Sequence, residues 1–246
     1  MSTQVVLLMA GAGSRFASVG FRESKPLIPV NGEPMFRRAL DSLEGLERAT
    51  RTTYVVREQQ IHDEGIDDVI RQSDADPHIV ALPRLTGGAA ESAIAAVGAL
   101  DAHAPVLVLD CDLWFRSASY TRAANSVALG RAADSAVLLT FQASESRYSY
   151  VATTSDGRVT SIAEKRVISS HAVGGSYFFS SAAVFAEAAD DARADLPASG
   201  EAEFYMSAVV RALLRMEKRV SAWPADDYLS FGTPEELRAN AAAAGG

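Results

Sequence analysis

Short, continuous apolar segments at regular intervals constrain the fold of this chain more than any other feature of its sequence. They indicate strands that are buried on both faces, and they lie at residues 5–9, 53–56, 79–82, 106–109 and 136–140. Segments with a helical pattern separate them, at residues 34–43, 59–71 and 88–100. Strands that alternate with helices predict an α/β protein with a mostly parallel central sheet and helices on both faces.

The second half of the chain shows a different pattern. Residues 148–154 and 158–163 have strand character and flank Ser155-Asp156-Gly157, a sequence that is typical of a β-hairpin turn. The other elements predicted in this half are a strand at 174–179 and helices at 203–216 and 234–243. No linker or repeat divides the sequence, so we predict a single domain over residues 1–246 with a small β-rich subregion.

Composition excludes several classes of protein. The 246 residues carry a formal net charge of −8 without a basic cluster, so we expect no general binding to nucleic acid or to membranes. The single cysteine, Cys111, excludes a disulfide scaffold, and the four scattered histidines lack the spacing of a zinc site. Because no apolar run approaches about 18 residues and no signal peptide is evident, we expect a cytoplasmic protein.

A glycine-rich segment follows the first predicted strand. Gly11 and Gly13 precede Arg15, and roughly 20 residues without a clear helix come before the first predicted helix. Glycines let backbone N–H groups approach a ligand, and here Arg15 and Lys25 would add positive charge for an anion. A dinucleotide-binding fingerprint would need glycine in place of Phe16, so that motif is absent. The alternative interpretation is a tight turn with surface cations.

Two aspartates follow the apolar strand at 106–109. Strand alternation places Asp110 and Asp112 on the same side, at the carboxyl end of a predicted parallel strand. Carboxylates in such a position suit Mg²⁺, which takes one or two of them together with substrate phosphates. The alternative is a helix N-cap or a solvated turn. Cys111 lies between them, and we expect it to point into the core, since no base is near it in sequence.

Two segments together resemble the signature of sugar-phosphate nucleotidyltransferases. Residues 8–16 read LMAGAGSRF and residues 25–35 read KPLIPVNGEPM, in the order and at the spacing of that family. Further segments that resemble the family lie at 85–92, 159–165, 203–205 and 231–237. The subgroup that the chain resembles most is a bacterial one linked to precursors of capsule or surface polysaccharides.

This resemblance implies a GT-A-like, Rossmann-like fold whose first half, about residues 1–115, binds a nucleotide and whose second half, about 116–246, binds an acceptor. The residues expected to bind the nucleotide are Ala10, Gly11, Ala12, Gly13, Ser14, Arg15, Lys25, Thr86, Gly87 and Gly88. Of these, Arg15 and Lys25 are the expected catalytic residues. The residues expected at the acceptor are Tyr150, Glu164, Lys165 and Gly175. The alternatives are core packing for Tyr150 and solvation for Lys165.

The resemblance also implies that Asp112 binds Mg²⁺ directly, with Asp110 in support. One departure from the family concerns this ion. Members with a two-aspartate metal site carry Trp-x-Asp-x-Gly-Thr late in the chain, whereas this sequence has Ser230 at the position of that aspartate. A serine hydroxyl is a much weaker ligand than a carboxylate. Either one metal ion suffices, or a different group completes the coordination shell, or activity is compromised.

The expected reaction joins a nucleoside monophosphate from an NTP to a phosphorylated small molecule, a sugar 1-phosphate by first choice, and releases pyrophosphate. A phosphate is already an anionic nucleophile, so positioning and charge neutralisation would supply the catalysis. Three alternatives are CTP-dependent transfer to a non-sugar acceptor such as phosphocholine or a phosphonate, a glycosyltransferase, and a non-catalytic nucleotide-binding subunit. The sequence leaves open the nucleobase and the oligomeric state, including a homo-oligomer.

Overall fold

The computed structural model describes residues 2–46 and 49–241. Its strands are β1 (Thr3–Leu8), β2 (Pro29–Val30), β3 (Glu33–Pro34), β4 (Ala49–Arg57), β5 (His78–Leu82), β6 (Val106–Asp110), β7 (Leu113–Arg116), β8 (Ala136–Gln142), β9 (Tyr150–Thr153), β10 (Val159–Ala163), β11 (His171–Phe179), β12 (Val220–Pro224) and β13 (Asp227–Ser230). Its α-helices are α1 (Ser14–Ala17), α2 (Met35–Asp41), α3 (Glu58–Glu64), α4 (Ile66–Ser73), α5 (Ala89–Ala95), α6 (Ala118–Ala128), α7 (Ala182–Ser199), α8 (Met206–Arg215) and α9 (Pro234–Asn240).

The central sheet runs in the order β12-β8-β11-β6-β1-β4-β5. Its strands are parallel except for β11, which is antiparallel to both of its neighbours. The β9–β10 hairpin joins the sheet where Tyr150 pairs with Ala172 at the start of β11. The prediction of a mixed α/β protein with a mostly parallel sheet is therefore confirmed.

Helices cover both faces of this sheet. Val6 and Leu8 of β1 pack on the face that α5, α7 and α8 cover, whereas Val5 and Leu7 pack on the face that α2, α4 and α6 cover. Because both faces are buried, successive residues of the strand are apolar instead of alternating with polar ones. None of the helices in the described ranges is long and apolar enough to cross a membrane.

Several helices differ from their predicted extents. The helix expected at 59–71 is interrupted at Gly65, whose φ of 61° ends α3 and precedes α4. The helix expected at 203–216 begins only at Met206. The helix expected at 234–243 corresponds to α9, which begins at Pro234 and ends at Asn240; residues 242–243 lie outside the described ranges. Helices α6 and α7 were not predicted from the sequence. In α7, alanines recur around the helix, so no single apolar stripe marks its buried side.

The C-terminal part of the chain is held against the glycine-rich loop. β13 pairs with β7, and the Phe231 N–H then donates to the Asp112 carbonyl oxygen at 2.7 Å. A small apolar cluster contains Phe231 and Leu237 together with Phe16, which follows the glycines, and Met35. These contacts place the start of α9 beside the ends of β1 and β6.

Candidate active site

Two adjoining cavities open at the carboxyl ends of β1 and β6. The first has a volume of about 470 Å³ and the second of about 220 Å³. Asp110 and Asp112 line both cavities, so these two aspartates stand at the boundary between them. Open α/β sheets bind ligands at the carboxyl ends of their strands. The aspartate pair therefore marks a point where two ligands could meet.

The glycine-rich loop divides its residues between the two cavities. The residues of this region that line the first cavity are Ala10, Gly11, Ala12 and Lys25. Gly13 has a φ of 62°, a conformation that favours glycine, and it directly precedes α1. Ser14 begins α1 and lines neither cavity, whereas Arg15 on the same helix lines the second cavity. The two expected catalytic cations thus lie in the walls of different cavities.

Lys25 forms an ion pair with Asp112 at the boundary. Its Nζ donates to Asp112 Oδ2 at 2.8 Å, and the two side chains are only 22% and 21% exposed. Burial acts to lower the pKa of Lys25, but the charge and hydrogen bond of Asp112 outweigh it, and the pKa lies above its ordinary value. Lys25 is therefore a permanent positive charge at the point where the cavities meet.

The other two residues of the Asp-Cys-Asp segment behave differently. Burial, followed by the negative charge of Asp112, raises the pKa of Asp110, and Lys25 only partly opposes this. Cys111 is buried in the core cluster beneath β1 and β6, and burial raises the pKa of its thiol to about 12. The thiol is therefore protonated at neutral pH and buried, as expected from sequence, although Cys111 also contributes to the wall of the first cavity.

The segment with Thr86, Gly87 and Gly88 forms the opposite wall of the first cavity. Gly88 has a φ of 145°, and a Cβ there would lie 2.5 Å from the Phe204 carbonyl oxygen. Phe204 N–H in turn donates to the Gly87 carbonyl at 2.7 Å. The close approach that requires glycine at 88 is therefore to the chain preceding α8. Thr86 points back to Ser92, with the two hydroxyl oxygens 2.6 Å apart.

The two members of the Glu164–Lys165 pair point in different directions. Glu164 lines the second cavity and accepts hydrogen bonds from the hydroxyls of Ser149 and Ser207. Lys165 is exposed, donates to Tyr205 Oη at 2.6 Å and has its Nζ 4.6 Å from the centre of that ring. This hydrogen bond raises the pKa of Lys165. The structure thus brings Glu164 to the cavity, while Lys165 is bound to Tyr205 beside it.

Gly175 and Tyr150 also differ in position. Gly175 lines the second cavity with a φ of 70°, and a Cβ there would lie 2.7 Å from Asp110 Oδ2. Tyr150, by contrast, has a fully buried side chain whose hydroxyl donates to the Glu145 carbonyl oxygen at 2.7 Å. The structure does not bring Tyr150 to either cavity, because its strand position directs the ring into the core.

Two side chains that line the second cavity beside Tyr148 were not predicted from the sequence: Arg147 and Glu236. Glu236 Oε1 accepts hydrogen bonds from Arg147 at 2.8 Å and from Tyr148 Oη at 2.9 Å. The Arg147 guanidinium also lies 4.6 Å from the centre of the Tyr148 ring. Burial and the nearby Glu236 carboxylate raise the pKa of Tyr148. The only sequence signal was that Glu236 falls within segment 231–237, which resembles the family.

Oxygen atoms converge beside Gly232, which also lines the second cavity. A Cβ at this glycine would lie 3.0 Å from Asp112 Oδ2, 3.4 Å from Glu236 Oε2 and 3.6 Å from Ser230 Oγ. Across the described residues, no three acidic, histidine or cysteine side chains form a complete metal site. Mg²⁺, however, usually combines one or two carboxylates with substrate phosphates. The donor set therefore fits a magnesium ion that is shared with a bound phosphate.

The fold agrees with that of solved nucleotidyltransferase structures. A nucleoside-diphosphate-sugar pyrophosphorylase from Vibrio cholerae superposes with a TM-score of 0.79 and 20% identity, over 96% of this chain and 98% of that chain. A UDP-glucose pyrophosphorylase bound to UDP-glucose superposes with a TM-score of 0.78 and 15% identity, over 99% of this chain and 98% of that chain. The inositol-1-phosphate CTP transferase from T. maritima superposes with a TM-score of 0.76 and 15% identity, over 99% of this chain and 94% of that chain. These likenesses confirm the expected GT-A-like fold.

Sequence comparison supplies the family. No curated protein sequence matches the chain. Residues 4–243, however, match the sequence profile of the nucleotidyl transferase family, and this match spans nearly the whole chain. With its fold and its family in agreement, the chain is a nucleotidyltransferase and belongs to the nucleotidyl transferase family.

Proposed function

We propose that the protein transfers a nucleoside monophosphate from an NTP to a sugar 1-phosphate and releases pyrophosphate. The observation that carries this proposal is the Lys25–Asp112 ion pair, which lies at the boundary of a glycine-lined cavity and a cavity lined by arginines and tyrosines. The NTP would occupy the first cavity and the acceptor the second. The first half of the chain, about residues 1–115, would then supply most nucleotide contacts, and residues 116–246 most acceptor contacts.

In this proposal the chemistry depends on positioning and charge. The acceptor phosphate is already anionic, so it can attack the α-phosphorus without a general base. Lys25 would lie between the two phosphates and reduce their mutual repulsion. Arg15, which follows the glycine-rich loop, would stabilise the charge that grows on the departing pyrophosphate. Asp112, supported by Asp110, would hold Mg²⁺, which when bound neutralises phosphate charge.

The lining of the second cavity supports a phosphorylated acceptor that carries hydroxyl groups. Arg147 supplies positive charge for the acceptor phosphate, whereas Glu164 offers a carboxylate that is held in place by two serine hydroxyls. A carboxylate in such a position accepts hydrogen bonds from sugar hydroxyls. Lys165 would join this contact after leaving Tyr205. A nucleotide-sugar product would serve as an activated precursor of a surface polysaccharide.

A second candidate function keeps the reaction and changes the acceptor. Tyr148, Tyr177 and Tyr228 line the second cavity together with Glu164. Aromatic rings beside a carboxylate suit a cationic group, which favours phosphocholine or a similar amine-bearing phosphate with CTP as the donor. A glycosyltransferase has less support, because it would not need a cradle for a triphosphate.

The test is a matrix of nucleoside triphosphates and phosphorylated acceptors, scored by release of pyrophosphate in the presence of Mg²⁺. We expect release only when one matching triphosphate and acceptor are both present, and none in EDTA. Turnover with phosphocholine but with no sugar 1-phosphate would select the second candidate. Transfer from a supplied nucleotide-sugar would favour a glycosyltransferase, and tight NTP binding without turnover on any acceptor would indicate a non-catalytic subunit.

A further inference from the structure

Ser230 poses a specific problem for the proposed function. It stands where related sequences carry an aspartate, and its hydroxyl accepts a hydrogen bond from the Gly232 N–H at 3.4 Å. Asp112 is then the direct carboxylate ligand that the resemblance implies, with Asp110 in support. A divalent ion next to two phosphate groups needs firm anchoring by the protein. A second protein oxygen donor near Ser230 would supply that anchoring.

Glu236 presents a carboxylate at the required place. It lies in the first turn of α9, where its own N–H donates to Thr233 Oγ1 at 3.2 Å. Its side chain is only 15% exposed. Its Oε2 is 3.4 Å from the point where a Gly232 Cβ would lie, and Asp112 Oδ2 is 3.0 Å from that same point. Both carboxylate oxygens therefore lie within 3.4 Å of one point beside Gly232.

The two oxygens of Glu236 have separate surroundings. Oε1 accepts hydrogen bonds from Arg147 and Tyr148, which fix the orientation of the carboxylate. Oε2 lies near the same point beside Gly232 as Asp112 Oδ2 and Ser230 Oγ. Carboxylates that bind metals are commonly oriented in this way, by hydrogen bonds to the oxygen that does not face the ion. A glutamate reaches farther than an aspartate, so residue 236 can serve a position that belongs to residue 230 in related sequences.

We propose that Glu236 is the second carboxylate ligand of the divalent ion, in place of the aspartate that Ser230 replaces. This proposal rests on the proposed function, which supplies the reason for an ion at Asp112. Arg147 and Lys25 each pair with one of the two carboxylates, and so they offset the repulsion between them before an ion binds. The site is then built from two elements that are distant in sequence, the end of β6 and the start of α9.

The test measures the binding of Mn²⁺ to the protein in the absence of nucleotide and acceptor. The electron paramagnetic resonance signal of the free ion reports how much Mn²⁺ is unbound. We expect Glu236→Gln to weaken Mn²⁺ binding about tenfold or more, as Asp112→Asn should. The double variant Ser230→Asp/Glu236→Gln restores a carboxylate at the family position, and we expect its affinity to return to within about threefold of the wild type. Glu235→Gln, a change of the exposed neighbour on the same helix, should leave binding unchanged.

Each outcome decides the proposal. Wild-type affinity in Glu236→Gln overturns it, whether or not Asp112→Asn loses the ion. Weak binding that Ser230→Asp does not restore, in protein whose circular dichroism matches the wild type, also overturns it, because the loss would then come from disturbed packing. The proposed function fails separately, if no triphosphate and acceptor release pyrophosphate. The Mn²⁺ measurement needs no turnover, so the two failures are distinguishable.

Discussion

The two cavities are built in different ways, although they share a wall. The first takes its lining mainly from short segments that are continuous in sequence, residues 8–12 and 85–89, joined by Lys25. The second takes side chains from segments spread between Arg15 and Glu236. A cavity made of backbone and small residues near a strand end leaves a motif in the sequence. A cavity made of side chains that only tertiary contacts bring together leaves almost none.

The division of the site into two cavities also predicts which kinetic constants each residue controls. Residues at the shared wall should affect turnover whichever ligand is varied, while those that line only the second cavity should affect the acceptor alone. The two halves of the chain are not strictly separated between the two cavities. Ala202 and Glu203 contribute to the first cavity, and Arg15 contributes to the second. Changes at single residues therefore test the comparison better than any truncation could.

The largest effect is expected at the shared wall. Lys25→Met removes the positive charge between the two cavities and leaves Asp112 without its partner at 2.8 Å. We expect kcat/KM to fall by about 10³ for both the triphosphate and the acceptor, at the upper end for the loss of one electrostatic group. Initial rates of pyrophosphate release would measure this. Lys218→Met, a lysine beyond α8 that lines neither cavity, is the matched control, and an equal loss there would contradict the assignment.

Arg15 gives the next effect. We expect Arg15→Ala to lower kcat by roughly 10²–10³, because it removes one group that stabilises charge on the leaving pyrophosphate. Arg15 is exposed on a short helix, so this change should leave the fold intact, which thermal unfolding would check. Unchanged turnover in the folded variant would remove Arg15 from the reaction. A rise in the acceptor KM alone would instead place it with the second cavity, whose wall it lines.

The sequence predicted the fold where local pattern and burial coincide. The strands β1 and β6 and residues 53–56 of β4 are buried on both faces, so their largely apolar segments are continuous and recognisable, whereas the edge strand β5 is only partly buried. Helix α7 has alanines on several sides, and its packing against the sheet depends on tertiary contacts that periodicity does not report. Its length therefore could not be inferred, although it is the longest helix in the described ranges.

In the candidate site, too, the sequence predicted the residues at strand ends but not those that tertiary contacts bring together. The glycines, Lys25 and the two aspartates lie next to strand ends, and order along the chain is enough to bring them together. Arg147 and Glu236 are 89 residues apart, and they meet because β13 pairs with β7 and carries α9 to the cavity. Tyr150 was expected at the acceptor, yet it is buried, and the tyrosines that line the second cavity are Tyr148, Tyr177 and Tyr228.

A smaller and more selective effect is expected at Glu164. Glu164→Gln keeps the shape but weakens hydrogen bonds from acceptor hydroxyls, so we expect the acceptor KM to rise about tenfold. The KM for the triphosphate should stay within about twofold, since Glu164 does not line the first cavity. Steady-state kinetics with each substrate varied in turn would measure both. Glu58→Gln, an exposed glutamate on α3, is the control, and an equal rise in both KM values at Glu164 would contradict the separation of the cavities.

The smallest effect is expected at Cys111, between the two aspartates. Its ordinary thiol pKa of 9.0 is raised by burial to about 12, so the thiolate that reacts with alkylating agents is scarce below that pH. Iodoacetamide at pH 7 to 9 should label the native protein slowly, with little loss of activity. An exposed thiol with its ordinary pKa would instead react increasingly fast across this range. Mass spectrometry of native and urea-unfolded protein would show the difference. Rapid native labelling with loss of turnover would show that the thiol is reached from the first cavity, whose wall includes Cys111, and it would undo the account of a buried, protonated thiol between two carboxylates that face the ligands.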